Sequence, residues 1–180
     1  MYLPTEYFAD IYKINYEDLF KKGTRLLLFD LDNTIADYET PNATNQVSSL
    51  INRLKSMGFE VVIISNNSKK RVSLFENDLG VVAIHRLSKP HTHRIKKYLK
   101  SKSYKRDEMI WIGDQLMTDM KCANKIGIKS ILVNPLKQET ERWYTRFNRL
   151  FENRKLKKIK ERYKDEFIAL GLDKRWVIMN

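Results

Sequence analysis

The nine residues Leu26-Leu27-Leu28-Phe29-Asp30-Leu31-Asp32-Asn33-Thr34 run from an unbroken apolar segment straight into two carboxylates two positions apart. Four successive apolar residues with no polar alternation are what a strand buried on both faces requires. Asp30 and Asp32 would then leave the carboxyl end of that strand and point at one spot above a sheet. A second block, Gly113-Asp114-Gln115-Leu116-Met117-Thr118-Asp119, follows another apolar run and could bring a third carboxylate to the same spot.

Outward from this stretch, short apolar runs alternate with segments of helical period. The runs lie at 26–29, 61–64, 81–84, 109–112 and 130–133, and the helical segments at 44–57, 69–79, 91–100 and 116–126. Gly58, Gly80 and Gly127 stand where three of those helices should stop. Buried strands joined by helical crossovers imply an α/β, doubly wound, Rossmann-like parallel sheet with helices on both faces. Such sheets bind ligands beyond the carboxyl ends of their strands, near the switch in strand order. Asp30, Ser65, Lys89 and Asp114 all fall at or just after the ends of different predicted strands.

The flanks read differently. Residues 1–24 are expected to lead into the domain, with Asn15 capping a short helix that stops at Gly23; residues 25–138 form the α/β domain. In 139–180, Trp143, Phe147, Leu150, Phe151, Leu156, Ile159, Tyr163, Phe167 and Leu170 recur at roughly helical spacing among basic residues. One or two helices are predicted there, with a break near Gly171. Of the chain's net charge of +12, a local excess of eight lies between Arg142 and Lys164, ten Lys/Arg against two Glu. That excess favours a polyanionic partner, nucleic acid or an anionic membrane face, unless it is simply a solvated helix surface.

At 180 residues, 42% hydrophobic and 31% charged, the chain has the composition of one globular domain with an appendage. No apolar run approaches the length of a membrane span, and the N-terminus, with Glu6 and Asp10, lacks the basic-then-apolar order of a secretory signal. Cys122 has no partner for an internal disulfide and reads as a small core residue. A cytoplasmic protein is expected, with its oligomeric state left open.

Phosphate monoesters resist water because the nucleophile must approach an anion. Enzymes answer with a metal, a placed nucleophile and an acid for the leaving group. Asp30 can attack phosphorus, and Asp32 can protonate the departing alkoxide and then deprotonate the hydrolytic water. Oxygen from Asp30, from the Asp32 carbonyl and from Asp114 suits Mg²⁺. Ser65 and the amide of Asn66 can hydrogen-bond phosphoryl oxygens, and Lys89 supplies fixed positive charge. The bland readings are a loop role for Asp37, a turn role for Asn67, and surface or helix-start positions for His85, His91 and His93.

These residues resemble the motifs of the haloacid dehalogenase (HAD) superfamily: Asp30-Leu31-Asp32-Asn33-Thr34 the first, Ser65-Asn66-Asn67 the second, Lys89-Pro90 the third, and Gly113-Asp114 through Asp119 the fourth. The resemblance implies Asp30 as nucleophile, Asp32 as acid/base, Ser65 and Lys89 on phosphate, Asp114 on Mg²⁺, and Asp119 on the metal or behind it near Lys89. Leu3-Pro4 and Thr145-Arg146-Phe147-Asn148-Arg149, added to these motifs, are similar to the YqeG-like, capless subclass III group, related to phosphatidylglycerophosphate phosphatases. Residues 37–61 and 68–88 leave no room for a cap domain. An uncovered site admits bulky substrates: a protein, a nucleic acid terminus, or a lipid head group at a membrane surface. The likeness to phosphatidylglycerophosphate phosphatases implies the anionic lipid at the inner membrane face, with the basic tail as a peripheral contact. The alternatives are a soluble phosphatase for nucleotides or phosphosugars, and an RNA- or ribosome-associated protein with a vestigial site.

Overall fold

The structure, a computed structural model, describes residues 3–137, 139 and 143–179; the side chains of 143–150 and 176–179 are outside the description. Six strands form one sheet in the order β1-β6-β5-β2-β3-β4. They are β1 (Glu6–Phe8), β2 (Leu26–Asp30), β3 (Glu60–Ile64), β4 (Val82–Ile84), β5 (Met109–Gly113) and β6 (Lys129–Val133). Every pairing is parallel. The chain winds outward from β2 through β3 to β4, then returns to the other side of β2 for β5 and β6. The reversal falls between β2 and β5, the two strands that end in Asp30 and Gly113. The fold is the expected α/β Rossmann-like sandwich.

Alternate side chains of the buried strands feed two separate cores. Leu27, Phe29, Val61, Ile63, Ile110 and Ile112 face the layer built by α1 (Tyr16–Lys21), α2 (Asn45–Ser56) and α3 (Lys69–Leu79). Leu26, Leu28, Val62, Ile64, Met109 and Trp111 face the opposite layer, with α4 (His93–Lys100) and α5 (Lys121–Ile126). Both layers are apolar because the strand residues are buried on both faces, which is why β2 and β5 show no polar alternation. The crossovers are capped as the sequence suggests: the Asn15, Thr44 and Ser68 side chains accept from Asp18 N, Val47 N and Arg71 N. Gly80 and Gly127 close α3 and α5 at φ +57° and +73°, a backbone region that side chains disfavour.

Three elements differ from the sequence reading. Glu6–Phe8, placed in the leader, is an edge strand paired with β6 in the register Glu6↔Ile131. Three half-buried residues are too few to show a period, so only the exposed edge of β6 could reveal them. The predicted helix 116–126 is two pieces, a π-helical turn Leu116–Met120 followed by α5. The tail forms three helices, not one or two: α6 (Trp143–Arg162), α7 (Lys164–Ala169) and α8 (Leu172–Met179). Gly171, at φ +70°, makes the expected second break, while Tyr163 makes an additional one.

The tail folds back on the sheet. Leu156, Phe167 and Leu172 are fully buried in the second core, with Ile159 and Leu170 packed at its margin. Phe151 is instead exposed, and Trp143, Phe147, Leu150 and the Thr145–Arg149 likeness lie outside the described side chains. Phe167→Ala would leave a ring-sized void there. It is expected to cost about 3–5 kcal/mol in urea unfolding, whereas a tail only loosely attached to the body would show almost no change.

Candidate active site

The site sits over the carboxyl ends of β2, β3 and β5. Asp30 is the last residue of β2, and the chain then reverses in a tight turn. Ile35 N and Ala36 N donate to Leu31 O at 3.0 and 3.1 Å, and Asn33 N donates to Ala36 O at 2.7 Å. Asn33 takes φ +65° there, a conformation asparagine tolerates better than most side chains. The turn carries Asp32 over β3 and aims Thr34 back at the strand end. Thr34 Oγ1 donates to Asp30 Oδ2 at 3.3 Å and lies 3.4 Å from Asp114 Oδ1, a geometry that spans the two strands.

Asp30, Asp114 and Asp119, all buried, each present an oxygen within 4.8 Å of the others. Lys89 lies among them. Its ammonium donates to Asp30 Oδ1 and, at 2.7 Å, to Asp119 Oδ1. Burial alone would lower the Lys89 pKa, but Asp119 and Asp30 outweigh it and hold the ammonium protonated far above its usual range. The Asp30 carboxyl is pushed well above the ordinary carboxylate range by burial; Lys89 opposes the push, and Asp119, Asp114 and Asp32 add to it. The lysine is thus the fixed charge of the cluster, and the carboxylates together are short of positive charge. All-oxygen donors converging with an excess of negative charge fit a hard divalent cation.

Each remaining position has a distinct task. Ser65, just beyond β3, donates to Asp32 Oδ2 at 3.1 Å. Asn67 Nδ2 adds a donor to the same oxygen at 3.2 Å, and Arg71 Nε lies 3.4 Å from Asp32 Oδ1. These three donors turn the Asp32 carboxylate toward β3 and α3, and Asp32 is not among the carboxylates that converge with Asp114. Asn66 uses its side chain as a clamp: Oδ1 accepts from Lys89 N at 2.6 Å and Nδ2 donates to Lys89 O at 3.1 Å. Asp119 is fully engaged, since Oδ1 also accepts from Trp111 Nε1 at 3.1 Å and Oδ2 from Gln115 N at 3.2 Å. A cavity of about 260 Å³ opens above these groups, lined at its floor by Asp30, Asp32, Ser65 and Lys89 and at its mouth by Tyr38, Asn67, Met117 and Lys121.

The structure therefore brings Asp30, Asp32, Ser65, Asn66, Lys89, Asp114 and Asp119 into one locality. Asp37 is a loop residue whose Oδ1 accepts from Thr40 N at 2.7 Å, and Cys122 is a buried core thiol. The three histidines do not line the cavity. Arg71 and Trp111 carried no signal in the sequence, because each matters only through a partner tens of residues away or across a turn.

This fold and this arrangement define a phosphatase of the HAD superfamily. Residues 1–137 match the family model described as Mitochondrial PGP phosphatase, and the chain belongs to that family. It is 34% identical over 161 residues to Probable phosphatase YqeG of Bacillus subtilis (strain 168), covering 89% of this chain and 93% of that protein. It is 27% identical over 168 residues to Phosphatidylglycerophosphate phosphatase 1, chloroplastic/mitochondrial, of Arabidopsis thaliana; that match spans 87% of this chain and 47% of the plant protein. Its backbone is similar to a solved structure described as a predicted HAD-like family hydrolase from Porphyromonas gingivalis, with TM-score 0.53 and 10% identity over 72% of this chain and 98% of that one.

Gly113 permits the approach of Asp119 to β5. A Cβ at position 113 would lie 2.5 Å from Asp119 Cγ and 2.7 Å from its Cβ. Gly113→Ala is expected to cost about 1–3 kcal/mol of stability and to lower phosphatase turnover by displacing Asp119 from Lys89. Unchanged turnover in the folded variant would show that the contact between Asp119 and Lys89 is dispensable.

Proposed function

We propose that the chain is a Mg²⁺-dependent phosphomonoesterase that works through an aspartyl-phosphate on Asp30 and acts on phosphatidylglycerophosphate. The observation that carries this reading is the convergence of Asp30, Asp114 and Asp119 about the Lys89 ammonium at the floor of a cavity. Asp30 and Asp114, with the Asp32 carbonyl, would hold the ion. When bound, Mg²⁺ offsets the charge of the phosphoryl oxygens and of the carboxylate that must attack them.

Asp30 attacks phosphorus, and the bond from phosphorus to the alcohol oxygen breaks as Asp32 passes its proton to that oxygen. Asp32 then takes a proton from the water that attacks the acyl phosphate. Inorganic phosphate leaves and Asp30 is restored as a carboxylate. Lys89 stabilises charge on both Asp30 and the phosphoryl group, and Asp119 keeps its ammonium aimed. Ser65 and Asn67 orient Asp32, so Ser65 serves phosphate by turning its hydroxyl from Asp32 when substrate enters. The amide of Asn66 is the second phosphoryl donor. A vestigial site on an RNA-associated protein would not keep each acid and cation paired in this way.

The substrate reading draws on the plant relative's name and on the cavity, whose walls come from strand ends and the loops after them, the π-helical turn and the start of α5. Among the described residues no helix is long and apolar enough to cross a membrane. The tail spends Leu156, Phe167 and Leu172 on the protein's own core, while Arg154, Lys155, Lys157, Lys158 and Lys160 are exposed. Contact with an anionic leaflet would accordingly be electrostatic rather than insertive, at about 1 kcal/mol per basic residue near the surface.

Purified protein is expected to release phosphate from phosphatidylglycerophosphate faster than from nucleotides or sugar phosphates. Chelation of Mg²⁺ should stop release, Asp30→Asn should reduce it to background, and Asp32→Asn should slow it by about 10²–10⁴-fold. Faster turnover of the soluble esters would refute the lipid assignment while leaving the phosphatase intact. In flotation assays the protein should bind phosphatidylglycerol vesicles at low salt, release them at high salt, and ignore phosphatidylcholine. Salt-independent binding would point to insertion instead.

A further inference from the structure

Among the described residues, Arg175 of α8 and Glu152 of α6 are buried charges outside the carboxylate cluster, at 0% and 1% exposure. Neither lines the cavity, yet both reach the loop that carries Asp114. Arg175 Nη2 donates to the main-chain oxygen of Asp114 at 2.6 Å and to Glu152 Oε1 at 3.1 Å, and Nη1 donates to Val133 O. Glu152 Oε1 in turn accepts from Leu116 N at 3.1 Å. The three residues 114–116 are therefore held at both ends, by the carbonyl of the first and the amide of the last.

Between those ends, Gln115 bonds to the turn that follows: its amide donates to Asp119 Oδ2 at 3.2 Å and its carbonyl accepts from Asp119 N and Met120 N at 3.0 and 3.2 Å. The segment connects the end of β5 to the π-helical turn, and the first amides of a helical turn have no partner within the turn. Asp114 points one way from it into the carboxylate cluster, and Asp119 lies on the turn it begins. Loss of either tail residue would remove a hydrogen bond from a buried main-chain atom of this segment and the opposite charge from a buried partner. A buried ion pair is seldom kept for stability, since well-packed apolar side chains serve as well. A fork of donors with a carboxylate behind it instead fixes where two backbone atoms lie to within a hydrogen bond.

We propose that Arg175 and Glu152 are positioning residues for Asp114 and Asp119, so that the C-terminal helices are part of the metal-binding apparatus and not only a charged appendage. They touch no reacting atom; they act on the site through the backbone of 114–116. The inference rests on the reading of Asp114 as a ligand for Mg²⁺. It also predicts that the tail cannot be removed without weakening the site, although the family model ends at residue 137.

The test uses the full chain and magnesium chloride as the probe. Calorimetric titration of the metal-free protein is combined with hydrogen exchange at the Leu116 amide and with the Mg²⁺ dependence of phosphate release. Arg175→Met and Glu152→Ala are expected to weaken Mg²⁺ binding by about 10–100-fold and to speed exchange at Leu116. The KM for substrate at saturating metal should stay within about twofold, as the substrate groups are untouched. Glu152→Gln, which keeps an acceptor for Leu116, should recover much of the affinity, and Arg175→Lys, whose compact ammonium lacks the planar fork that spans the separated oxygens, should not. Leu172→Ala loosens the same helices without touching the loop, so it should lower the melting temperature and leave Mg²⁺ affinity alone. Wild-type affinity and exchange in Arg175→Met and Glu152→Ala would overturn the proposal; should either fail to fold, wild-type values in Arg175→Lys would do so. Asp114→Asn separates the two readings: if it too binds Mg²⁺ normally, the metal assignment falls, and if it alone loses binding, only the role of the tail does.

Discussion

Negative charge buried around a single ammonium is the constraint on which the rest of the structure turns. Asp30, Asp114 and Asp119 converge, Lys89 is the cation shared by Asp30 and Asp119, and Asp32 stands beside them with Arg71. Carboxylates confined in this way repel one another strongly at low dielectric and are tolerated only where the scaffold leaves them no alternative. The parallel sheet provides such a scaffold. Its strands end together, their apolar faces are consumed by two cores, and the turns beyond them have no freedom to carry the acids away into water.

Around that cluster the protein spends its polar side chains on holding other polar groups rather than on the cavity itself. Asn66 clamps the backbone of Lys89, Asp119 and Trp111 steady its side chain, and Ser65 and Asn67 fix Asp32. Preorganisation of this kind places charge before the substrate arrives, so that little reorganisation is needed when the phosphoryl group is transferred. The tail extends the same logic one layer outward, with Arg175 and Glu152 taking up main-chain atoms of the segment between Asp114 and Leu116. Among its described residues, Arg154, Lys155, Lys157, Lys158 and Lys160 remain at the surface, while Leu156, Phe167, Leu172 and this ion pair are drawn inward.

The doubly wound sheet and the acids at its edge are legible in the order of residues along the chain. Unbroken apolar runs can be satisfied only by burial on both faces, and DxD and GD stand where those runs end. Periodicity also located α2 and α3, whose N-caps Thr44 and Ser68 act on amides only three residues away. Local physics of this kind is written in local sequence. Partnerships across long separations emerge only on folding: β1 as an edge strand, Asn66 as a clamp on Lys89, Arg71 on Asp32, and Arg175 beneath Asp114. In the sequence Arg175 is one basic residue in a basic tail, and nothing in its neighbours separates it from those in solvent. Its role arises from desolvation, which makes a guanidinium seek every available oxygen, and desolvation is a property of packing rather than of sequence.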